Sequence, residues 1–410
     1  MSAPDASSIV IVGAGIAGLT AALCLARIGR SATIVERAQT LDEVGAGLQL
    51  SPNALSVMDR LDLLPALRAV GVEADRVELL NYRSGRRIAD VPVHAADGTP
   101  YLSIHRADLQ AVLIAAVRAE PLITLTLGAA LCDITVDDDG VAVSLAGQEI
   151  PLRADFLIAA DGVRSAVASH FGLAPATPTG TTAWRLTVDR AAERAMQNPV
   201  IPIGDASASR PARISAWLGP RRHAVAYPIR KGNAVNLVLI ARTDHRDTSA
   251  ANPVGDPVSG FSRWDARLAG MIADAAPPTS WPLYEAPADR HFVLGKGRVA
   301  LIGDAAHAMA PYAAQGAGMA IEDAAVLAAS IAGTADLREA ARRYEVERRP
   351  RIDKVRSRVG FHRFVYHLPA PFSLGRDVVL ALRRRDALRA DLGWLYDWRA
   401  PILDPEGRVI

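Results

Sequence analysis

The sequence predicts an α/β fold with three parts: a discontinuous Rossmann-like nucleotide-binding domain, an inserted and mostly antiparallel β-sheet domain, and a C-terminal helical region. Three observations predict it. A β-branched apolar run, Ile9–Val12, opens onto Gly13-Ala14-Gly15-Ile16-Ala17-Gly18, the glycine spacing of a dinucleotide-binding turn between a strand and a helix. From about 181 to 284 the pattern changes to short alternating runs such as 214–218, 223–229 and 234–240, divided by Gly and Pro turns, as antiparallel strands are. A buried apolar strand, 299–302, then returns and feeds Gly303-Asp304 and a second helical stretch.

The elements follow in order. The 9–12 run reads as a strand buried on both faces. An Ala- and Leu-rich helix follows to about Ile28, stopped by Gly29. A second strand covers 31–35 and ends at Glu36, which completes a βαβ opening. The 53–67 segment reads as one helix, with Leu55, Met58, Leu61 and Leu64 on its apolar face. Strands are expected over 76–93 around a turn at 83–85, and a helix over 106–119. Further strands are expected near 123–127 and 131–136, then at 141–144 beyond a turn at 137–140, and at 156–159. A helix is expected from about 319 to 332, and helices from 336 onward. The segments divide into a nucleotide domain (1–75, 98–180 and 285–350), a sheet domain (76–97 and 181–284) and a helical region (351–410).

Composition narrows the functional classes. A chain of 410 residues has room for two packed domains. Lys and Arg number 46 against 44 Asp and Glu, so no nucleic-acid partner is expected. Cys24 and Cys132 lack metal or disulfide spacing and are expected as two buried thiols in a reducing, cytoplasmic setting, with no metal site. The apolar stretch 9–26 has no basic leader and is interrupted by glycines, so it reads as folded structure and not as a signal peptide. The first eight residues read as a frayed polar leader. No later run suits a membrane-spanning helix, so no stable membrane insertion is expected.

The chemistry rests on three strings. In the first, Gly13, Gly15 and Gly18 permit a tight turn, a close pyrophosphate approach and close helix packing, with the helix N-terminus offering free N–H groups. Glu36 stands 18 residues beyond Gly18, the place of a ribose hydroxyl acceptor. This motif serves FAD and NAD alike. The second string is Arg298-Val299-Ala300-Leu301-Ile302-Gly303-Asp304-Ala305-Ala306-His307, followed by Pro311 and Gln315-Gly316-Ala317-Gly318-Met319. The third is Ala160-Asp161-Gly162-Val163-Arg164-Ser165, an Asp-Gly turn at the end of a buried strand.

With these strings in order, the chain resembles the single-component FAD-dependent aromatic hydroxylases, the class A flavoprotein monooxygenases. The segment Gly45-Ala46-Gly47-Leu48-Gln49-Leu50-Ser51-Pro52-Asn53-Ala54 resembles the branch that holds salicylate hydroxylase, 3-hydroxybenzoate 6-hydroxylase and 6-hydroxynicotinate 3-monooxygenase. The resemblance runs from about Ile9 to Trp398. It implies FAD as cofactor, NADH or NADPH as co-substrate, O2, and a small aromatic substrate hydroxylated through a C4a-hydroperoxyflavin. It places Asp304 at the FAD ribitol and pyrophosphate region, and Pro311, Gly316, Ala317 and Gly318 against the flavin ring. There the helix N-terminus would stabilise negative charge on reduced flavin. Asp161 is placed near FAD, Arg164 near pyridine nucleotide or in a structural role, and Arg106 on the FAD phosphates. Arg37, Gly47 and Leu131 join the cofactor set.

The substrate side centres on His223-Ala224-Val225-Ala226-Tyr227-Pro228. Strand alternation puts His223, Val225 and Tyr227 on one face. The resemblance implies that His223 and Tyr227 face the aromatic ring as catalytic and substrate-binding groups, with Gln49 and Pro311 also lining the substrate. A phenol needs help to ionise at neutral pH, and two titratable groups there could supply it. His307 is expected to support the loop, the Arg383-Arg384-Arg385 run to form a solvated helix face, and Trp394-Leu395-Tyr396-Asp397-Trp398 to cap the fold. A monomer or homodimer is expected. The alternatives are an FAD monooxygenase of a larger natural-product scaffold and a non-catalytic flavin-binding redox protein.

Overall fold

The computed structural model describes residues 8–41, 46–189, 212–243, 259–402 and 408. The leader up to Ser7 and Gly45 lie outside them. A six-stranded sheet runs in the order β17 (Val293–Leu294), β18 (Val299–Leu301), β11 (Phe156–Ala159), β1 (Ile9–Val12), β2 (Ala32–Val35) and β7 (Ile123–Thr126). All its pairings are parallel except β17 with β18. Every residue of β1 and β11 is buried, which explains their unbroken apolar sequence. Helix α1 (Ile16–Arg27) follows β1. It stops where Gly29 takes φ 71°; Gly29 N–H donates to Ala26 and Arg30 N–H to Leu25, a Schellman end.

The 53–67 segment forms two helices, α2 (Pro52–Arg60) and α3 (Leu64–Val70). Leu61 and Leu63 are both buried, yet two successive steps of about 100° would put them on nearly opposite sides of one continuous helix. The chain resolves this by turning at Asp62, whose φ is 61° and whose carboxylate pairs with Arg27.

The larger sheet has nine strands. Its order is β16 (Thr279–Glu285), β12 (Thr177–Asp189), β15 (Ala234–Arg242), β14 (Arg222–Ile229), β13 (Ala212–Gly219), β4 (Val72–Asn81), β6 (Tyr101–His105) and β3 (Gly47–Leu50), with β5 (Arg87–Pro92) paired to β4. Only β4 with β13 is parallel. Strands β3 and β6 come from segments expected in the nucleotide domain, yet they hydrogen-bond into this sheet. One face packs Trp184, Trp217, Ala224, Ala226, Leu237 and Leu239 against Phe261, Trp264 and the helix α6 (Ala266–Ala273). The opposite face carries Tyr227 and Ile240 into the main core. A small antiparallel sheet joins β8 (Leu131–Val136), β9 (Val141–Leu145) and β10 (Leu152–Ala154).

The remaining helices are α4 (Arg106–Ala119), α5 (Ala166–His170), α7 (Asp304–His307), α8 (Gly316–Ala332), α9 (Leu337–Tyr366), α10 (Phe372–Leu382), α11 (Arg385–Ala390) and α12 (Gly393–Tyr396). Helix α8 begins three residues before the expected Met319, so Gly316 and Gly318 both lie in its first turn. In the basic run, Arg383 pairs with Asp391, Arg384 with Asp386 and Arg385 with Asp90. Cys24 is buried but Cys132 is exposed, against the expectation of two buried thiols. Cys132 lies on β8, where the neighbouring Asp133 is also exposed. Among the described residues no helix is long and apolar enough to cross a membrane, and no metal-holding cluster occurs.

Candidate active site

The carboxyl edge of the parallel sheet gathers the three strings. Gly13 takes φ 104°, and a Cβ there would sit 2.5 Å from the Ala160 carbonyl; a Cβ on Gly18 would sit 2.0 Å from the Gly13 carbonyl. The turn is therefore as tight as glycine allows. Gly15 differs: a Cβ there meets nothing within 4 Å. It opens α1 with no side-chain cap, so the first N–H groups of that helix face open space with the positive dipole end behind them. Glu36 accepts from Ala14 N–H at 2.8 Å and Ala38 N–H at 2.9 Å. Arg37 beside it is exposed. Backbone bonds Gly128 N–H to Ala38 and Ala129 N–H to Glu36 bring the start of β8, with Leu131, next to this corner.

Asp161 follows β11. It accepts from Val167 N–H at 3.1 Å through Oδ2, while its buried Oδ1 has no partner. Burial pushes this carboxyl up, against hydrogen bonds from Ser165 and Val167. Arg164 is exposed and lies 5.9 Å from the Tyr284 ring. Asp304 sits in a recess: its side chain reaches solvent, yet the protein around it pushes its carboxyl up, against the pull of His307 and Arg106. Arg106 opens α4, and Gln110 of that helix donates to the Ala14 carbonyl at 3.4 Å. These polar groups belong to one rim.

A buried charge network braces the rim. Glu322 and Asp323 on α8 and Arg348 on α9 are 0% exposed. Arg348 bonds both carboxylates at 2.7 Å, and Arg351 bonds Glu322 at 2.6 Å. Asp323 also accepts from Gly303 N–H at 2.8 Å and contacts His307 Nε2 at 2.5 Å. His307 thus supports the Gly303 turn. Burial alone would raise the Asp323 carboxyl; His307 and Arg348 outweigh it and hold it at about 2. Asn53 donates to Glu322 at 2.7 Å, and Gln315 to Ser51 at 3.1 Å, so the Ser51-Pro52-Asn53 string fixes the turn ahead of α8. Trp398 covers the network, with its ring 4.0 Å from Arg351.

The second half of the site lies on β14. His223 is 1% and Tyr227 4% exposed. They share a face but stand four residues apart, about 13 Å along the strand, with Val225 between them. Tyr227 adjoins β3: a Cβ on Gly47 would lie 2.7 Å from its ring. Gly47 N–H donates to Asn236 at 2.8 Å. Gln49, on the same strand, accepts from Tyr101 hydroxyl at 2.7 Å. His223 lies at the other end, its ring 5.3 Å from that of Tyr312 in the turn Pro311–Ala313. Pro311 itself is exposed. His223 Nδ1 is 2.8 Å from His367 Nε2. Burial first, then His367 and His362, push His223 well down; burial pushes Tyr227 up. At neutral pH the first is a neutral base and the second keeps its proton.

Residues 6–359 match the model for the FAD binding domain. The chain belongs to that family. This flavoprotein is 34% identical to 3-amino-4-hydroxybenzoate 2-monooxygenase PtmB3 of Streptomyces platensis, over 96% of each chain. It is 31% identical to 3-hydroxybenzoate 6-hydroxylase 1 of Aquipseudomonas alcaligenes, over 95% of this chain and 97% of that one. Its fold matches a salicylate hydroxylase substrate complex with TM-score 0.76 and 23% identity, over 96% of this chain and 95% of that one. It is an FAD-dependent monooxygenase of the aromatic hydroxylase group. The rim fits FAD: the uncapped α1 N-terminus and the space over Gly15 suit a pyrophosphate, and the unpartnered Asp161 Oδ1 suits a hydroxyl donor.

Sequence reasoning missed Glu322, Asp323, Arg348 and Arg351, and also His362 and His367. One signal was present. Glu322-Asp323 interrupts an otherwise apolar α8, and two acids on a buried helix require cations.

Gly18→Ala is expected to lower stability sharply by overpacking, whereas Gly15→Ala should leave the melting temperature of the FAD-free protein unchanged and weaken FAD binding. Thermal melts and flavin titration check both. Arg348→Met should cost about 3–5 kcal/mol by stranding buried carboxylates, read from urea unfolding. Asp323 is depressed from its ordinary 3.8 to about 2. Its stabilisation is therefore present above about pH 4 and lost as pH falls toward 2. Asp323→Asn should be less stable at neutral pH and show a flatter loss across that window.

Proposed function

We propose that this monooxygenase hydroxylates a small phenolic or aromatic acid, with NADH or NADPH as reductant and O2 as the oxygen source. One observation carries the reading. A neutral histidine and a protonated tyrosine share one face of β14, and that face is covered by β3 and by the Pro311–Ala313 turn, the two elements that reach across from the cofactor rim. The hydroxybenzoate relatives support the substrate class.

Bound FAD would accept reducing equivalents from the nicotinamide and supply an activated oxygen atom to the ring. The chain does the rest. The α1 N-terminus with Gly13, Gly15 and Gly18 holds the pyrophosphate, and Arg106 adds charge to the phosphates. Glu36, with Arg37 and Leu131 alongside, holds the adenosine end. Asp161 and Asp304 hold the middle of the cofactor, and Gly47, Pro311, Gly316, Ala317 and Gly318 hold the ring. The uncapped start of α8 favours negative charge there. His223 takes the phenolic proton, which enriches the ring carbon for electrophilic attack. Tyr227 donates a hydrogen bond from the far end, and Gln49, held by the Tyr101 hydroxyl, lines the substrate beside it. The apolar sheet face keeps water out. Segments 1–75, 98–180 and 285–350 mainly serve the cofactor and 76–97 and 181–284 the substrate, with β3 and β6 crossing into the larger sheet. A cytoplasmic location agrees with nicotinamide supply and with two unpaired thiols.

Anaerobic flavin reduction by NADH and by NADPH, with and without a panel of monohydroxybenzoates and 6-hydroxynicotinate, tests this. One ligand should raise the reduction rate by at least about tenfold, a lowering of the barrier by roughly 1.4 kcal/mol. Reduction that ignores every panel member rejects small aromatic acids as substrates.

A further inference from the structure

The C-terminal end of α9 brings two histidines to the substrate side that no cofactor role uses. His367, just past the last turn of α9, places Nε2 2.8 Å from His223 Nδ1. His362 places Nδ1 3.1 Å from the Tyr312 carbonyl and stacks on Tyr366 with ring centroids 5.1 Å apart. Tyr312 and Tyr366 flank His223 at 5.3 and 5.5 Å. The result is an aromatic box with a gradient of exposure: His223 is 1% exposed, whereas His367 is only half-buried. The His367 backbone is anchored too, since its carbonyl accepts from Arg221 N–H at 3.2 Å, next to the start of β14.

The box poses a problem for His223. Its interior surroundings disfavour a charged imidazole: burial and the neighbouring His367 and His362 all act in that direction. A proton taken from a substrate cannot rest there. His367 cannot store it either. Burial, then Arg363 on α9 and Arg242 on β15, hold its ring at about 4. Burial and Arg358 hold His362 at about 4. Among the described residues, the charged groups that act on the two rings are the cations Arg363, Arg242 and Arg358; the carboxylate nearby, Glu285 on β16, acts on Tyr312 and is paired with Arg363 at 4.0 Å, so it is engaged by a cation already. The proton must move on, and the hydrogen bond to a solvent-touching ring is the route the geometry offers.

We propose that His367 is the positioning and proton-relay residue for His223, a role that rests on the reading of His223 as the base. The substrate O–H bond breaks as an N–H bond forms at His223 Nε2. The His223 Nδ1–H bond breaks as an N–H bond forms at His367 Nε2. His367 Nδ1 then releases its proton to water. One proton enters and one leaves, both rings finish neutral with their protons on the opposite nitrogens, and reprotonation of product runs the path in reverse. The bound phenolate keeps the negative charge.

The test uses FAD-loaded enzyme and 3-hydroxy-4-nitrobenzoate, a phenol that colours on ionisation, mixed in a stopped-flow instrument at pH 6. The wild type should ionise the probe on binding. His367→Gln keeps a hydrogen-bonding side chain but cannot relay a proton. It should slow the appearance of colour by at least about tenfold, less than a positioned proton-transfer group can contribute, with FAD content and final amplitude unchanged. His367→Ala should recover speed when imidazole is added to the buffer. If His223→Gln abolishes ionisation while His367→Gln stays within twofold of wild type, the relay is wrong and the base assignment survives. If His223→Gln ionises the probe as wild type does, the base assignment is wrong and the relay falls with it. A wild type that neither binds nor ionises the probe rejects both.

Discussion

Two adjacent carboxylates without solvent, Glu322 and Asp323 on α8, constrain everything around them. Buried anions are tolerable only when cations and hydrogen-bond donors surround them. Arg348 and Arg351 meet that demand from α9, one turn apart, and so fix how α9 lies on α8. The remaining acceptor capacity is taken by donors from the turns around the rim. Gly303 N–H and His307 set the turn that presents Asp304, and Asn53 ties in the start of α2. A network of this kind adds little net stability compared with a well-packed apolar core. What it supplies is geometry, because each donor has one place to be.

The two halves of the site are held by different means. On the cofactor side the working surface is mostly backbone: glycine turns, a bare helix start and short acidic side chains at strand ends. Such a surface depends on tight main-chain approach, which is why Gly13 and Gly18 have no room for even a methyl group. On the other side, where we propose that substrate binds, the surface is a sheet face that presents alternate side chains of β14. The two meet where β3 and the Pro311–Ala313 turn cross from one half to the other. Gly47 is tightly held at that crossing, pressed between Tyr227 and Asn236.

Much of this was legible in the sequence because the signals are local. The strand, glycine turn and helix of residues 9–27, the acid at Glu36, and the strand-to-Asp turns at Asp161 and Asp304 each declare themselves within a few residues. The shared face of His223 and Tyr227 followed from strand periodicity alone. The illegible parts depend on distant partners. Nothing near Glu322 in sequence says that Arg348 will meet it, and nothing near His223 announces His367, 144 residues away. The break between α2 and α3 was hidden because Leu61 and Leu64 suit a helical stripe; only the burial of Leu63 as well forces the chain to turn. The exposure of Cys132 runs against a residue type that is usually buried; the β8–β9 ladder slips between Leu131 and Asp133, and Cys132 and Asp133 both face out there.

Helix α9 is 30 residues long, a rod of about 45 Å. Its first half carries Tyr344 to the Leu301 carbonyl, its middle carries Arg348 and Arg351 into the charge network, and its C-terminal end carries His362 to Tyr312. In recombination with relatives, a crossover after Ile352 would leave the charge network within one parent but divide His223 from His367. Crossovers between Asp323 and Arg348 would pair one parent's carboxylates with the other's arginines.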